Sequence, residues 1–585
     1  MSASPFPEID LARIPFSMAG SFLTLNRVET PNNDQIRINT VRREAATPRW
    51  QPGSDWSNEV LDFVLLKDGK ILAPTFAATP ASLALTAGTA TVVVVFADPH
   101  TLLFDVKNCT VRVLSKRKLA WMLCPHPDQF FGYDPRSLYY LTCGTTAGAT
   151  IRFQPAPGGE TATDLVDQLE IGGPSDFQIT LRLTPQEDRH LPTPIKFASA
   201  LAARTAELQR WLALCPPAPA RLADAAQTAW YLSWNLQVAP TGHYTRQTIL
   251  SSKRSMSMIW SWDNCFNALA VVHADPQLAW DQLLVILDNQ AESGVLPDCI
   301  NDATRLMGYN KPPIFALTAQ RLLAATSASE RGRFAGDAYP KLVRFQNWWL
   351  RERDLIGNGV IYYMHGNDSG WDNATLFDER WPVASPDLAA FLLLGAEALG
   401  EMAAMLGLET DAAAWREQAV RLTQLFHRHF IRGTDLIYHV LTPQGPQERP
   451  GSTSLLTRIP LLLGHRLPAD VMQRLIADLT DEKTFLAPYG PASEALNSPH
   501  YLPNGYWRGP IWGPSTYLIF EGLLASGAIA AAREVAERYC RLCSLTAIFS
   551  ENYNAITGAD QYDSGMTWSG SDFLLLARWL AEHPG

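Results

Sequence analysis

An antiparallel β-sandwich followed by an (α/α)6 toroid is the fold that the sequence predicts. Two textures and one missing regularity carry this reading. Up to about residue 185 the chain shows short β-branched and aromatic runs separated by Gly and Pro. Beyond residue 220 apolar residues recur at helical spacing in segment after segment. Those segments share no strict repeat length, which argues against a tetratricopeptide-type array and leaves an α/α solenoid or a closed ring of hairpins.

Residues 1–190 form the expected sandwich domain. TVVVVFA (91–97), LLFDV (102–106), TVRVL (110–114), LYYLT (138–142), TIRFQ (150–154) and FQITLRL (177–183) read as strands. Lys67-Asp68-Gly69-Lys70, Gly158-Gly159 and Gly172-Gly173-Pro174 read as turns between them. Residues 191–219 read as a linker helix, because FASALAARTAELQRWLALC (197–215) has helical spacing and Pro216-Pro217-Ala218-Pro219 ends it. Residues 220–585 form the expected catalytic domain. Its amphipathic segments begin with LADAAQTAWYLSWNL (222–236) and DNCFNALAVVHA (263–274) and end with SDFLLLARWLAEH (571–583). About 370 residues and a dozen helices fit six hairpins closed into a barrel.

Composition removes several functions. Hydrophobic residues make up 47% and charged residues 18% of the 585, enough apolar surface for a sizeable core. The net charge is −10, and the longest basic run, Lys116-Arg117-Lys118, reads as a solvated turn, so nucleic acid is not an expected partner. No stretch reaches the roughly 18 consecutive apolar residues of a membrane span. Residues 1–16 lack a basic region followed by an apolar one, so a cytoplasmic location is expected. The eight cysteines are scattered and read as reduced core residues. Cys540-x-x-Cys543 has no second pair or nearby His to make a metal site. No metal and no cofactor are expected, and the oligomeric state stays open, a homo-oligomer included.

Tryptophan marks where chemistry is expected. Fifteen of 18 lie in the helical part, several in loops beside Gly, Pro, Asn and Asp. Flat rings next to carboxylates and amides suit a sugar, whose C–H faces stack while its hydroxyls take directed hydrogen bonds. Four clusters stand out: residues 257–264 with Trp262 and Asp263; residues 367–374 with Asp368, Trp371, Asp372 and Asn373; residues 503–514 with Asn504, Trp507, Arg508 and Trp512; and residues 550–554 with Glu551 and Asn552. Each has a plainer reading, core packing for a tryptophan and a helix-start or solvated carboxylate for Asp263 or Glu551. Taken together they offer paired carboxylates on loops without any nucleotide, serine-hydrolase or zinc motif, the requirement of glycoside hydrolysis.

WSWDNCFNALAV, SGWDNAT, PNGYWRGPIWGP and SENYN, in this order, resemble glycoside hydrolase family 63, with its bacterial mannosylglycerate and glucosylglycerate hydrolases, and are similar to segments of the trehalases. The resemblance covers roughly residues 220–585, and YWRGPIW is its most specific part. It implies an (α/α)6 toroid behind a β-sandwich. It also implies an inverting, exo-acting hydrolase of α-glucosidase or α-mannosidase type acting on a small α-linked glycoside or oligosaccharide. On the matching positions Asp372 is the general acid and Glu551 the general base, Trp262 and Asp263 contact the sugar, and Trp507, Arg508 and Trp512 shape the subsites. Asp368-Ser369-Gly370, just before Trp371-Asp372, stands where many relatives read Glu-Ser-Gly, which leaves open whether Asp368 is the third carboxylate. Asp372 is expected to be partly buried beside Trp371, and Glu551 to lie in a more solvated loop. Arg508 is expected to clamp substrate. A trehalase-like hydrolase, a sugar epimerase using His365 and His500, and a non-catalytic sugar-binding protein are the alternatives.

Overall fold

A computed structural model describes all residues except 1–5, 29–34, 43–57, 120, 124–126, 135–138, 147, 156–165, 188–194 and 585. Gly158-Gly159 lies outside the described residues. Two antiparallel sheets fill the first third. One orders the strands Leu23–Val28, Gln35–Thr40, Asn58–Lys67, Thr110–Leu119, Val166–Gly172 and Thr150–Pro155, with Lys70–Ile71 beside the third. The other orders Trp121–Leu123, Gln129–Asp134, Tyr139–Thr145, Phe177–Thr184, Thr101–Lys107, Ala90–Asp98, Leu83–Ala87 and Thr75–Ala78. Along Ala90–Asp98 the alternate residues Val92, Val94 and Phe96 are buried, the period-2 pattern of a strand with one face on a core. Phe63 of the first sheet meets Phe104 of the second edge to face at 5.3 Å, so the inner faces share that core. Asp68 (φ 50°) and Gly69 (φ 74°) make the tight hairpin after Lys67, as their residue types require. Lys116-Arg117-Lys118 is not a turn: it lies inside the strand Thr110–Leu119.

Helix α1 (Phe197–Leu212) packs on the strand Ala90–Asp98, burying Phe197 and Ala200 against Val95 and Leu103. Its Trp211 stacks on Trp230 of α2 (Ala223–Asn235) at 4.6 Å, and each indole N–H donates to the other's carbonyl. The predicted linker is thus docked on both sides. The remaining helices are α3 (Asp263–Val271), α4 (Pro276–Asp288), α5 (Phe315–Ala325), α6 (Ala328–Glu352), α7 (Pro386–Met405), α8 (Glu409–Phe430), α9 (Ala469–Thr480), α10 (Gly513–Ala525), α11 (Ile529–Ser544) and α12 (Thr567–Glu582). A run of 3₁₀ turns, Leu455–Arg466, stands between α8 and α9.

Contacts sort these helices into two layers. α3 packs on α5, α5 on α7, α7 on the 3₁₀ run, that run on α10, α10 on α12, and α12 on α3. α4, α6, α8, α9, α11 and α2 lie against them. Composition explains the sorting. α10 is apolar almost all round and buries nearly every residue, whereas α9 buries only Val471, Leu475 and Leu479, a single stripe four residues apart. α7 is apolar enough in length and composition to cross a membrane, but 72% of that apolar window is buried in the molecule, so it is a core helix. The 3₁₀ run takes an inner helix's place without its geometry. Pro460 removes a backbone donor, and Gly464 turns at φ 51° against the Ala525 carbonyl, where a Cβ would come within 2.5 Å.

All four clusters precede inner helices: Trp262 caps α3, and the others lead into α7, α10 and α12. The N-terminal region reaches the same loops. Buried Lys253 donates to Ser17 Oγ and to the carbonyls of Met18, Asn235 and Gln237, and Ser564 Oγ donates to the Arg13 carbonyl.

Candidate active site

The loops are assembled around an aromatic stack. Trp507 lies flat on Trp512 at 3.9 Å and 5°, and Trp371 lies against Trp507 at 4.6 Å. Trp262 packs beside them, 6.4 Å from Trp507. Gly370 (φ 73°) is required there, because a Cβ would come within 2.7 Å of the Trp262 ring. None of the four tryptophans exposes more than 1% of its surface. They are therefore not open stacking platforms for a sugar in this structure: their faces are spent on one another, and they hold the loops in register. Two exposed tyrosine rings lie beside these loops. Tyr562 (57% exposed) meets Tyr506 at 5.1 Å, and Tyr309 stands against His365 at 4.5 Å.

Several polar residues expected to contact substrate prove to be ties. Asp368 is buried and accepts from Arg353 Nη1 at 2.7 Å and from the backbone N–H groups of Asn310 and Met364 at 2.9 Å, which leaves it no role as a third free carboxylate. Asn373 accepts from Trp507 N–H at 2.9 Å and donates to the Gly505 carbonyl at 3.0 Å, fastening the second cluster to the third. Arg508 donates to the Asn373 carbonyl at 2.7 Å and pairs with Asp378, so its fork is engaged inside the protein rather than aimed at a ligand. Asn504 is exposed and accepts from Gln561 Nε2 at 2.6 Å. Asn552 is buried, and among the described residues neither its side-chain oxygen nor its nitrogen has a hydrogen-bond partner.

The acids converge. Glu551 is buried and accepts from Tyr506 Oη–H at 2.8 Å. Tyr506 takes a backbone φ of 63°, costly for an aromatic residue, and thereby brings its hydroxyl to Glu551. Burial, with Asp563 and Asp372 nearby, pushes the Glu551 carboxyl up to about 7, against the Tyr506 hydrogen bond that favours the anion. The expected solvated setting is thus wrong: Ser550 and Asn552 are themselves buried, and Asp563 folds back with its carbonyl on Glu551 N–H at 2.8 Å.

Asp372 is the more open acid, its side chain 34% exposed. Burial of the remainder, with Asp298 nearby, raises its pKa above the ordinary carboxylate value, while Lys311 pulls it down. Lys311, itself buried, stands 3.0 Å from Asp298 and 3.8 Å from Asp372 and donates to the Asn367 carbonyl at 3.1 Å. Burial opposes its charge, yet Asp298, Asp372 and Asp263 outweigh that and raise its pKa. Asp263, the first residue of α3, is buried with Oδ1 unpartnered among the described residues, and burial holds its pKa well above the usual range. Among the described residues no group of three His, Cys, Asp or Glu is arranged to hold a metal.

Tyr506, Lys311, Asp298 and Asp563 are the functional neighbours that sequence reasoning missed. Tyr506 sits inside the most specific motif, so its signal was present. Lys311, in Asn-Lys-Pro-Pro, offers none: a lone loop lysine reads as solvated.

Two layers of helices carry the acids on loops that precede the inner helices, and comparison with known proteins assigns the class. A crystal structure of the GH63 mannosylglycerate hydrolase from Thermus thermophilus in complex with Tris superposes with a TM-score of 0.52 at 20% identity, over 62% of this chain and 100% of that one. Mannosylglycerate hydrolases from Thermus thermophilus (23% identical, 54% of this chain, 94% of that protein) and Rubrobacter radiotolerans (25%, 61% and 97%) are similar in sequence. The family model for the mannosylglycerate hydrolase MGH1-like glycoside hydrolase domain matches residues 256–571, more than half of the chain. The chain belongs to that family and is a glycoside hydrolase of GH63 type, acting on O-glycosyl bonds.

Proposed function

We propose that the protein hydrolyses a small α-linked hexoside with inversion, Asp372 acting as general acid and Glu551 as general base. The carrying observation is that two acids from clusters far apart in sequence act on one another electrostatically, Asp372 helping to raise Glu551, while each has its own attendant, an ammonium at Asp372 and a phenol at Glu551. The helical layers are read as the six hairpins of an (α/α)6 toroid, residues 220–585, with residues 1–190 as a sandwich domain that braces the loops. Protonated Asp372 gives its proton to the glycosidic oxygen as the bond to the anomeric carbon breaks, and the anion it leaves faces Lys311. Glu551, ionised and steadied by Tyr506, takes a proton from the water attacking the opposite face. A base whose pKa lies near the working pH balances ionisation against basicity, which is what burial supplies and full solvation would not. Asp263, buried with an unpartnered oxygen and within electrostatic reach of Glu551, is read as the group that accepts a sugar hydroxyl.

Mannosylglycerate and glucosylglycerate are the first substrates to test, because related enzymes are named for them. Trehalose and aryl α-glycosides complete the screen. Proton NMR before mutarotation should show the β-anomer of the released hexose; initial α-anomer refutes the mechanism. An epimerase has less support: His365 Nδ1 is occupied by Asn367 N–H and His500 is exposed at the surface.

A further inference from the structure

Glu494 lies outside every motif and is fully buried. Its Oε2 accepts from Thr375 Oγ1 at 3.0 Å, and its Oε1 accepts from Ser498 Oγ at 2.7 Å and from Thr453 Oγ1. Among the described residues no cation pairs with it. A carboxylate removed from water and met only by hydroxyls is costly, and a neutral residue of similar size would cost less to bury. What it holds is specific. Thr375 opens a 3₁₀ turn three residues after Asp372, and the Ala374 N–H on the Trp371 carbonyl makes this stretch a tight unit. The neighbour Ser493 accepts Gly509 N–H at 2.9 Å, and the same loop takes the ties from Asn373. The acid-bearing loop is thus fastened twice within three residues after Asp372: through Asn373 to residues 505–507, and through Thr375 to Glu494.

We propose that Glu494, acting through Thr375, is a positioning residue that holds the acid loop so that Asp372 reaches the leaving oxygen. Such fixing matters because proton transfer demands a donor within hydrogen-bond reach, and misplacement by about 1 Å costs on the order of 100-fold. Only a carboxylate offers acceptors to three hydroxyls at once; an amide would turn two donors toward one of them. This inference rests on Asp372 being the acid.

The test is a leaving-group series on full-length protein: aryl α-glucosides and α-mannosides with phenols of decreasing pKa, together with mannosylglycerate. Thr375→Val removes one tie and keeps the shape of the side chain; Glu494→Gln removes the charge; Thr375→Ser restores the hydroxyl. Thr375→Val and Glu494→Gln should lower kcat about 10- to 100-fold on alkyl and poor aryl leaving groups. They should change it little on dinitrophenyl glycosides, with KM nearly constant, and Thr375→Ser should restore the native slope. Equal losses across the series, or native kcat in a folded Thr375→Val protein, would overturn the proposal. Asp372→Asn serves as the reference. If it lacks leaving-group dependence, the acid assignment fails first and this inference falls with it. A steep slope for Asp372→Asn beside a flat one for Thr375→Val refutes Glu494 alone.

Discussion

Tyr506→Phe should move the acidic limb of the pH–rate profile upward. The substitution deletes one hydroxyl and keeps the ring, whose edges and faces meet Trp512 at 4.7 Å and Tyr562 at 5.1 Å, so packing survives. The hydroxyl donates at 2.8 Å to a buried carboxylate. A hydrogen bond to a charged group contributes about 1.5–3 kcal/mol, and one pKa unit corresponds to about 1.4 kcal/mol, so Glu551 should rise by about 1–2 units. The sign follows from the donor favouring the anion: without it the protonated form gains, and the base is ionised only at higher pH. From a starting value of about 7, the limb of kcat/KM should move to about 8–9. At pH 6 the variant should lose about 10- to 100-fold relative to the native enzyme, and at high pH most of the difference should disappear. Because Asp372 contributes to raising Glu551, the limb belongs to the coupled pair. The assay is kcat/KM from pH 5 to 9.5 on the substrate that the screen identifies. A limb that stays in place, or moves down, refutes the reasoning.

Glu551→Gln should stabilise the protein while removing activity. The folded carboxyl titrates near 7 against an ordinary 4.5, so the native state carries a charge penalty that is absent below pH 4.5, grows between the two values and is complete above about 7. Thermal melts should favour the variant by up to about 3 kcal/mol at pH 8 and by little at pH 4; an advantage at pH 4 only would contradict this. Lys311→Met leaves Asp298, Asp372 and Asp263 without their shared cation. Denaturant titration should show a loss of about 3–5 kcal/mol at neutral pH, and the alkaline limb of activity should move up as Asp372 becomes harder to ionise; unchanged stability would exclude the ammonium as their partner. Arg508→Ala should lower kcat as well as raise KM, because it removes the ties from the loop that carries Tyr506 and Trp507 to the Asn373 carbonyl and to Asp378; a change confined to KM would restore the substrate clamp.

Sequence alone determined the division into sheet and helix, most of the helices, and the four loops that carry the site, because these depend on local periodicity, on Gly and Pro, and on residue type within a few positions. It missed the 3₁₀ run Leu455–Arg466, whose Pro460 and Gly464 break the helical period although tertiary packing still holds it in the inner layer. It also misjudged what faces what. Tryptophan is a large flat ring in any sequence, but whether the ring is open to a sugar depends on what covers it, and here Trp371, Trp507 and Trp512 cover one another. The same holds for the acids. A carboxylate's environment is made by groups remote along the chain: Glu551 meets Tyr506, 45 positions away, and Asp368 meets Asn310, 58 positions away. Only the tertiary structure decided that Glu551 is buried, that Asp368 and Arg508 are ties, and that Lys311 stands beside Asp372. Desolvation and Coulomb interactions act across space, and the order of residues in a sequence does not record those distances.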